Sequence, residues 1–140
     1  MSDEFEKYDA FAKRMEERFP QMFSHPYGGF CVGEGWWPII EELCSNIQGH
    51  INWQKGKCPQ VTVAQIKEKF GGLRFYYEGG DEQIRGMVSM AESWAEHACE
   101  TCGAPGTRRD GGWLKTLCDH HEEMRRINSR KYKDENQTSQ

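Results

Sequence analysis

Nowhere in the 140 residues does an apolar run exceed Trp36 to Ile40, far short of the roughly 20 residues that span a membrane. The chain also lacks a charged opening segment followed by an apolar core, so we expect no secretory leader, no membrane contact and a cytoplasmic protein. Internal repeats are missing, which excludes solenoid and propeller architectures. Neither a glycine-rich phosphate loop nor a Ser/His/Asp arrangement occurs, and the adjacent pairs Glu41-Glu42 and Glu122-Glu123 point to different helix faces. No residue is therefore assigned a catalytic or cofactor-binding role, and a non-catalytic protein is expected. Apolar content is modest, with a hydrophobic share of 36% and a mean hydropathy of -0.88. Aromatic residues nevertheless reach 12%, more than a disordered chain carries, so one aromatic-rich core is expected.

Charge is unevenly spread. The total of 18 basic and 22 acidic residues gives -4, but residues 1–53 hold four basic and nine acidic side chains, whereas residues 103–133 hold eight basic and four acidic. The basic end suits an anionic partner, although mixed charge is also what solubility alone demands.

Hydrophobic spacing outlines the elements. Phe5, Tyr8, Ala12, Met15 and Phe19 recur at three and four, which predicts a helix over 3–19 ended by Pro20, with Met22 extending the row. Breakers crowd Ser24 to Gly35 so densely that no regular element is expected there. A second helix begins near Trp36 or Trp37, with Pro38 in its first turn and Trp36, Ile40, Leu43, Ile47 and Ile51 on one face, widened by Trp37 and Cys44. Val61 to Tyr77, broken by Gly71-Gly72, reads as a β-hairpin with aromatic side chains inward and charges outward. A short helix over Ala64 to Phe70 is the alternative. After Gly79-Gly80, Asp81 caps a third helix whose stripe is Ile84, Met87, Val88, Ala91, Trp94, Ala95 and Ala98.

The six cysteines fall into two groups. Cys31, Cys44 and Cys58 are scattered, and with His25 and His50 they match no compact motif, so idle or buried thiols are expected. Cys99-x2-Cys102-Gly103 and Cys118-x2-His121, by contrast, carry the spacing of a zinc site, in which two thiolates converge on a tight turn and the second pair opens a helix. His120 and His97 are weaker candidates for the fourth ligand. Between the pairs, Thr107 to Leu117 reads as two short strands around Asp110-Gly111-Gly112. Asp119 to Arg130 is acidic early and basic late, as a helix dipole favours. Four protein ligands fill a tetrahedron, so the Zn2+ is expected to be structural. The triplet Asp119-His120-His121 lacks the carboxylates of a two-metal phosphoesterase. The hairpin holds no His to act as the general base of a nuclease finger.

Knuckle, hairpin and ligand-bearing helix together look like a treble-clef zinc finger. The run Gln65 to Tyr76, followed by Cys-x2-Cys-Gly, Gly112-Trp113 and Thr116-Leu117-Cys118, resembles small uncharacterised proteins from bacteria and their phages over residues 61–125. That resemblance implies a zinc-binding domain of bacterial or phage origin, and no activity. The expected fold is α+β: a single domain over 1–132, made of a helical part (1–60), hairpin plus long helix (61–98) and a treble-clef-like zinc module (99–130), with a disordered tail over 133–140. The expected function is a zinc-stabilised protein-interaction module, a modulator or inhibitor of a host protein if phage-encoded. At least one ring among Tyr27, Phe30, Trp36 and Trp37 is expected to stay partly exposed and anchor the protein partner, the alternative being that all four fill the core. The alternatives are a nucleic-acid-binding zinc finger, using Lys67, Lys69, Arg74 and the C-terminal arginines, and, last, a metal-dependent hydrolase or nuclease.

Overall fold

The computed structural model describes residues 2–138 and is α+β, with four helices and sheets of three and two strands. The first helix, α1 (Ser2–Arg18), buries Phe11 and Met15, and Phe19, Met22 and Phe23 continue the row beyond it. Its opening turns stand clear of the body, so Phe5 is 77% exposed instead of belonging to the core face. The apolar face becomes useful only from Tyr8, which meets the edge of Trp37, and from Phe11, which stacks on Trp37 with ring centroids 4.5 Å apart.

The breaker-rich loop is not irregular throughout, as the sequence suggests. Phe30–Cys31 forms β1, parallel to the next strand through Phe30↔Ile66 and Cys31↔Lys67. Gly28 and Gly29, both at positive φ, turn the chain onto that sheet edge, and the pairing spans too much sequence for local pattern to reveal. A short 3-10 turn, Glu34–Trp36, then leads into α2 (Trp37–Trp53), whose Ile40, Leu43, Cys44, Ile47 and Ile51 are buried. Tyr27, Phe30 and Trp36 are core side chains, and Trp37 alone of the four stays half-buried.

The hairpin expectation holds, and the helix alternative does not. Strands β2 (Thr62–Lys69) and β3 (Gly72–Glu78) pair antiparallel in the sheet order β1-β2-β3. Their two-residue turn has Phe70 at φ 54° and Gly71 at φ 81°, the pair of positive values that a hairpin following strand twist requires. Val63, Ile66, Leu73 and Phe75 point into the core. Phe70 and Tyr76 do not: they are exposed, with Lys69 and Lys67 each over a ring at 5.8 Å.

Helix α3 (Glu82–Ala95) begins where the Asp81 carboxylate accepts the Ile84 N–H at 3.1 Å. Ile84, Val88, Ala91 and Ala95 pack inward, but Trp94 is 63% exposed. The helix packs on α2 along the Ile84–Ala95 row, which leaves Trp94 outside. One apolar cluster runs from Phe11 to Ala98 and joins the three helices to the sheet.

Strands β4 (Thr107–Arg109) and β5 (Lys115–Leu117) form the second hairpin, and α4 (Asp119–Thr138) closes the described chain. The tail expected to be disordered from residue 133 continues α4 as far as Thr138, and residues 139–140 lie outside the described residues. Extending a helix that is already nucleated needs no apolar face, which explains how a polar segment stays helical. No helix among the described residues is long and apolar enough to cross a membrane.

Candidate metal centre

The Cys99-x2-Cys102 turn is fixed by its own backbone. The Gly103 N–H donates to the Cys99 carbonyl at 2.8 Å, the Cys99 N–H to the Ala104 carbonyl at 2.7 Å, and Gly103 takes φ 83°, which a side chain would resist. Two other parts of the chain press on this knuckle. From the N-terminal side, the Gly35 N–H donates to the Glu100 carbonyl and the Trp36 indole N–H to the Ala98 carbonyl, both at 2.8 Å. From the second hairpin, the Glu100 N–H donates to the Thr116 carbonyl at 3.0 Å. The Thr116 hydroxyl in turn donates to the Gly71 carbonyl at 2.7 Å, tying the tip of the first hairpin to the second.

Cys118 immediately precedes α4, and His121 lies in its first turn. The His121 N–H points at Cys118 Sγ at 3.4 Å, so the positive end of the helix faces a sulfur that carries negative charge when it binds a metal. Arg109 holds the hairpin to this helix start, donating to the Leu117 carbonyl at 3.0 and 3.2 Å and to Asp119 at 2.8 Å.

Cys99, Cys102, Cys118 and His121 converge, with all four donor atoms within 4.8 Å of one another. Cys102 Sγ and Cys118 Sγ are 3.8 Å apart. His121 Nδ1 stands 3.7 Å from Cys99 Sγ and 3.2 Å from Cys118 Sγ. A tetrahedral ion bonded at about 2.3 Å to sulfur and about 2.0 Å to imidazole nitrogen has edges of about 3.8 Å (S to S) and about 3.5 Å (S to N). These three separations lie near those edges, and the Cys102 and Cys118 sulfurs are far too distant for a disulfide. Cys99 is buried, Cys118 and His121 are half-buried, and Cys102 reaches the surface. Burial pushes the Cys99 thiol up, but the amides of Cys118, Cys102 and Thr101 outweigh it and leave the thiol below its ordinary value, as suits a metal-binding sulfur.

The two weaker histidine candidates are not in the cluster. His120 is exposed and only packs its ring against His121, with centroids 5.0 Å apart, and exposed His97 borders a different cleft. Sequence reasoning missed Glu100, which lies between the two knuckle cysteines and is buried. Its Oε2 accepts the Gly33 N–H at 2.9 Å, its Oε1 has no partner among the described residues, and burial raises its carboxyl. Nothing in the spacing of Cys99 and Cys102 distinguishes a buried residue between them from a solvated one.

The scattered thiols separate in an unexpected way. Cys44 is buried, and that burial pushes its thiol up. Cys31 and His25 are exposed and, among the described residues, belong to neither ligand group. His50 and Cys58, however, come together with Asp81.

The chain matches no family model, no curated protein and no solved structure.

Proposed function

We propose that the chain is a small zinc-stabilised interaction module, with a treble-clef-like finger, that binds a protein partner. The observation carrying this reading is an apolar groove of about 470 Å³ between α2 and α3, lined by Pro38, Ile39, Leu43, Met87, Ala91 and Trp94. On its rim Met90 is 68% and Trp94 63% exposed. Tryptophan and methionine are the side chains that anchor interface cores, and methionine adapts to the shape it meets. Three thiolates and one imidazole suit zinc, and because they complete a tetrahedron they support a structural ion without an open position for water. The same closure argues against hydrolysis. If the chain is phage-encoded, its partner is a host protein that it modulates in the host cytoplasm.

The test is capture from nuclease-treated host extract by wild type and by Trp94→Ala. Loss of the same captured protein, with melting temperature and metal content unchanged, supports the groove. Equal capture by both proteins overturns it.

A second reading, nucleic-acid binding, is favoured by a different surface. A cleft of about 780 Å³ on the zinc module is lined by Arg108, Arg109, Arg125, Arg126, Arg130 and Trp113, the last 73% exposed. Exposed Phe70 and Tyr76, with their lysines, add rings on which bases can stack. Against this reading, Glu122 already engages Arg109, Arg125 and Arg126, which weakens the local field. A mobility shift that weakens steeply with salt and is lost in Arg108→Ala/Trp113→Ala would favour it.

A further inference from the structure

A second cluster of metal-ligating side chains lies outside the finger. His50 sits in the last turn of α2, Cys58 in the loop that follows, and Asp81 at the start of α3, and their donor atoms all fall within 4.8 Å of one another. They are separated along the chain, so the fold has to assemble them, and it does so with a rigid frame. Lys55 at φ 49° and Gly56 at φ 87° turn the chain back after α2, which returns Cys58 towards His50. A left-handed lysine is held at a cost that local preference does not repay. On the other side, the Gly80 N–H donates to the Pro59 carbonyl at 3.0 Å. Gly79, at φ 86°, lies so close to Gln60 that a Cβ there would sit 2.2 Å from its carbonyl oxygen. The segments carrying Cys58 and Asp81 are therefore locked together.

The donors face one point. His50 Nε2 and Asp81 Oδ2 are 2.8 Å apart, a direct hydrogen bond that an ion would replace by spreading the two atoms to the roughly 3.3 Å edge of a tetrahedron bonded at about 2.0 to 2.1 Å. Asp81 spends only Oδ1 on the helix cap, leaving Oδ2 for the cluster. Cys58 Sγ meets the Asp81 carboxylate and, at a long 3.6 Å, the Pro59 carbonyl. The side chain of His50 is 6% exposed and that of Asp81 37%, so the site is walled on the protein side and open to solvent at the carboxylate. A thiolate and a carboxylate together carry two negative charges, which a divalent ion neutralises. The mixed sulfur, nitrogen and oxygen set suits zinc or cobalt rather than magnesium or calcium.

We propose that His50, Cys58 and Asp81 form a second divalent-metal site, selective for borderline ions such as zinc, whose fourth position is left to water. It differs from the finger in being open, and it pins the end of α2 to the start of α3. The site is independent of the partner-binding reading, since neither needs the other.

The test uses the full chain with its finger loaded. Zinc is titrated into wild type, Cys58→Ala and Asp81→Asn, with bound metal counted after gel filtration in micromolar zinc. A parallel cobalt titration reports thiolate-to-metal charge transfer. Asparagine caps a helix as well as aspartate does, so Asp81→Asn preserves α3 while removing the charge. Wild type is expected to bind two ions per chain and each variant one, with no charge-transfer gain beyond the first equivalent in Cys58→Ala. Saturation of wild type at one ion overturns the proposal, as does a second ion retained by Cys58→Ala. If Cys58→Ala fails to fold, the ion count in Asp81→Asn decides.

Discussion

The amide of Gly35 donates to the carbonyl of Glu100 at 2.8 Å, which seats the approach to α2 directly on the cysteine knuckle. No side chain fits between the two backbones. A Cβ on Gly35 would lie 2.1 Å from the Cys99 carbonyl oxygen and 2.6 Å from both the Glu100 oxygen and the Gly103 nitrogen. Gly35→Ala is therefore expected to destabilise the protein by about 1–3 kcal/mol or more, because backbone cannot move aside as a flexible side chain does. Gly49 and Gly86, in the interiors of α2 and α3, have open space where a methyl group would sit, with nothing within 4 Å. Gly49→Ala and Gly86→Ala should each raise stability by up to about 1 kcal/mol. Denaturant melts of the three variants check the contrast, and an unchanged midpoint for Gly35→Ala would contradict it.

Loss of the ion proposed for Cys99, Cys102, Cys118 and His121 should unfold the C-terminal third before the rest. Cys102→Ser and His121→Ala are expected to bind one ion fewer per chain than wild type and to lose dispersed amide signals over 99–130, while His120→Ala keeps both. Zinc retained by His121→Ala but lost from His120→Ala would move the fourth ligand by one residue.

No cleavage of DNA, RNA or simple phosphodiesters is expected at the Cys99/Cys102/Cys118/His121 cluster with magnesium, manganese or zinc, since its four ligands leave no position for an attacking water, and any turnover lost in Cys58→Ala would belong to the open site instead. Turnover that survives repurification and disappears with His120→Ala would reverse this.

Trp36 and Trp94 should respond oppositely. Trp36 is fully buried and its indole N–H donates to the Ala98 carbonyl. Trp36→Phe is expected to cost about 1–3 kcal/mol, because it leaves that carbonyl without its donor. Trp94→Ala should shift stability by no more than about 0.5 kcal/mol, as for other exposed positions. Thermal unfolding of the two variants side by side gives the comparison.

Alkaline pH should weaken the fold through Tyr27. Burial raises its phenol, and its O–H donates to Glu16 at 2.9 Å, so the protonated form is favoured in the folded chain. The contribution is intact below the unfolded tyrosine value of about 10 and is lost as pH climbs above it. Stability measured across that range should fall more steeply for wild type than for Tyr27→Phe. Parallel curves would assign the loss to other groups.

The Cys99, Cys102, Cys118 and His121 cluster was legible because these residues lie in pairs whose spacing suits metal ligation, and the first three helices because their apolar residues recur with the helical period. Three features were not legible, each for its own reason. The strand Phe30–Cys31 exists through pairing with Ile66 and Lys67, far along the chain, and no local pattern encodes that. Trp94 fits the apolar stripe by spacing, but the width of a stripe does not say which edge a neighbouring helix covers. His50, Cys58 and Asp81 have no common motif, since left-handed turns at Lys55-Gly56 and Gly79-Gly80 bring them together.

The seating of Gly35 and Trp36 on the knuckle has a thermodynamic corollary. Just beyond Trp37, Pro38 and Ile39 belong to the α2 wall of the groove between α2 and α3, so the cysteine knuckle and the groove share a mechanical element. If ion binding steadies that first helical turn, it raises the affinity of whatever docks in the groove. Reciprocity then requires the docked molecule to tighten the ion by the same factor.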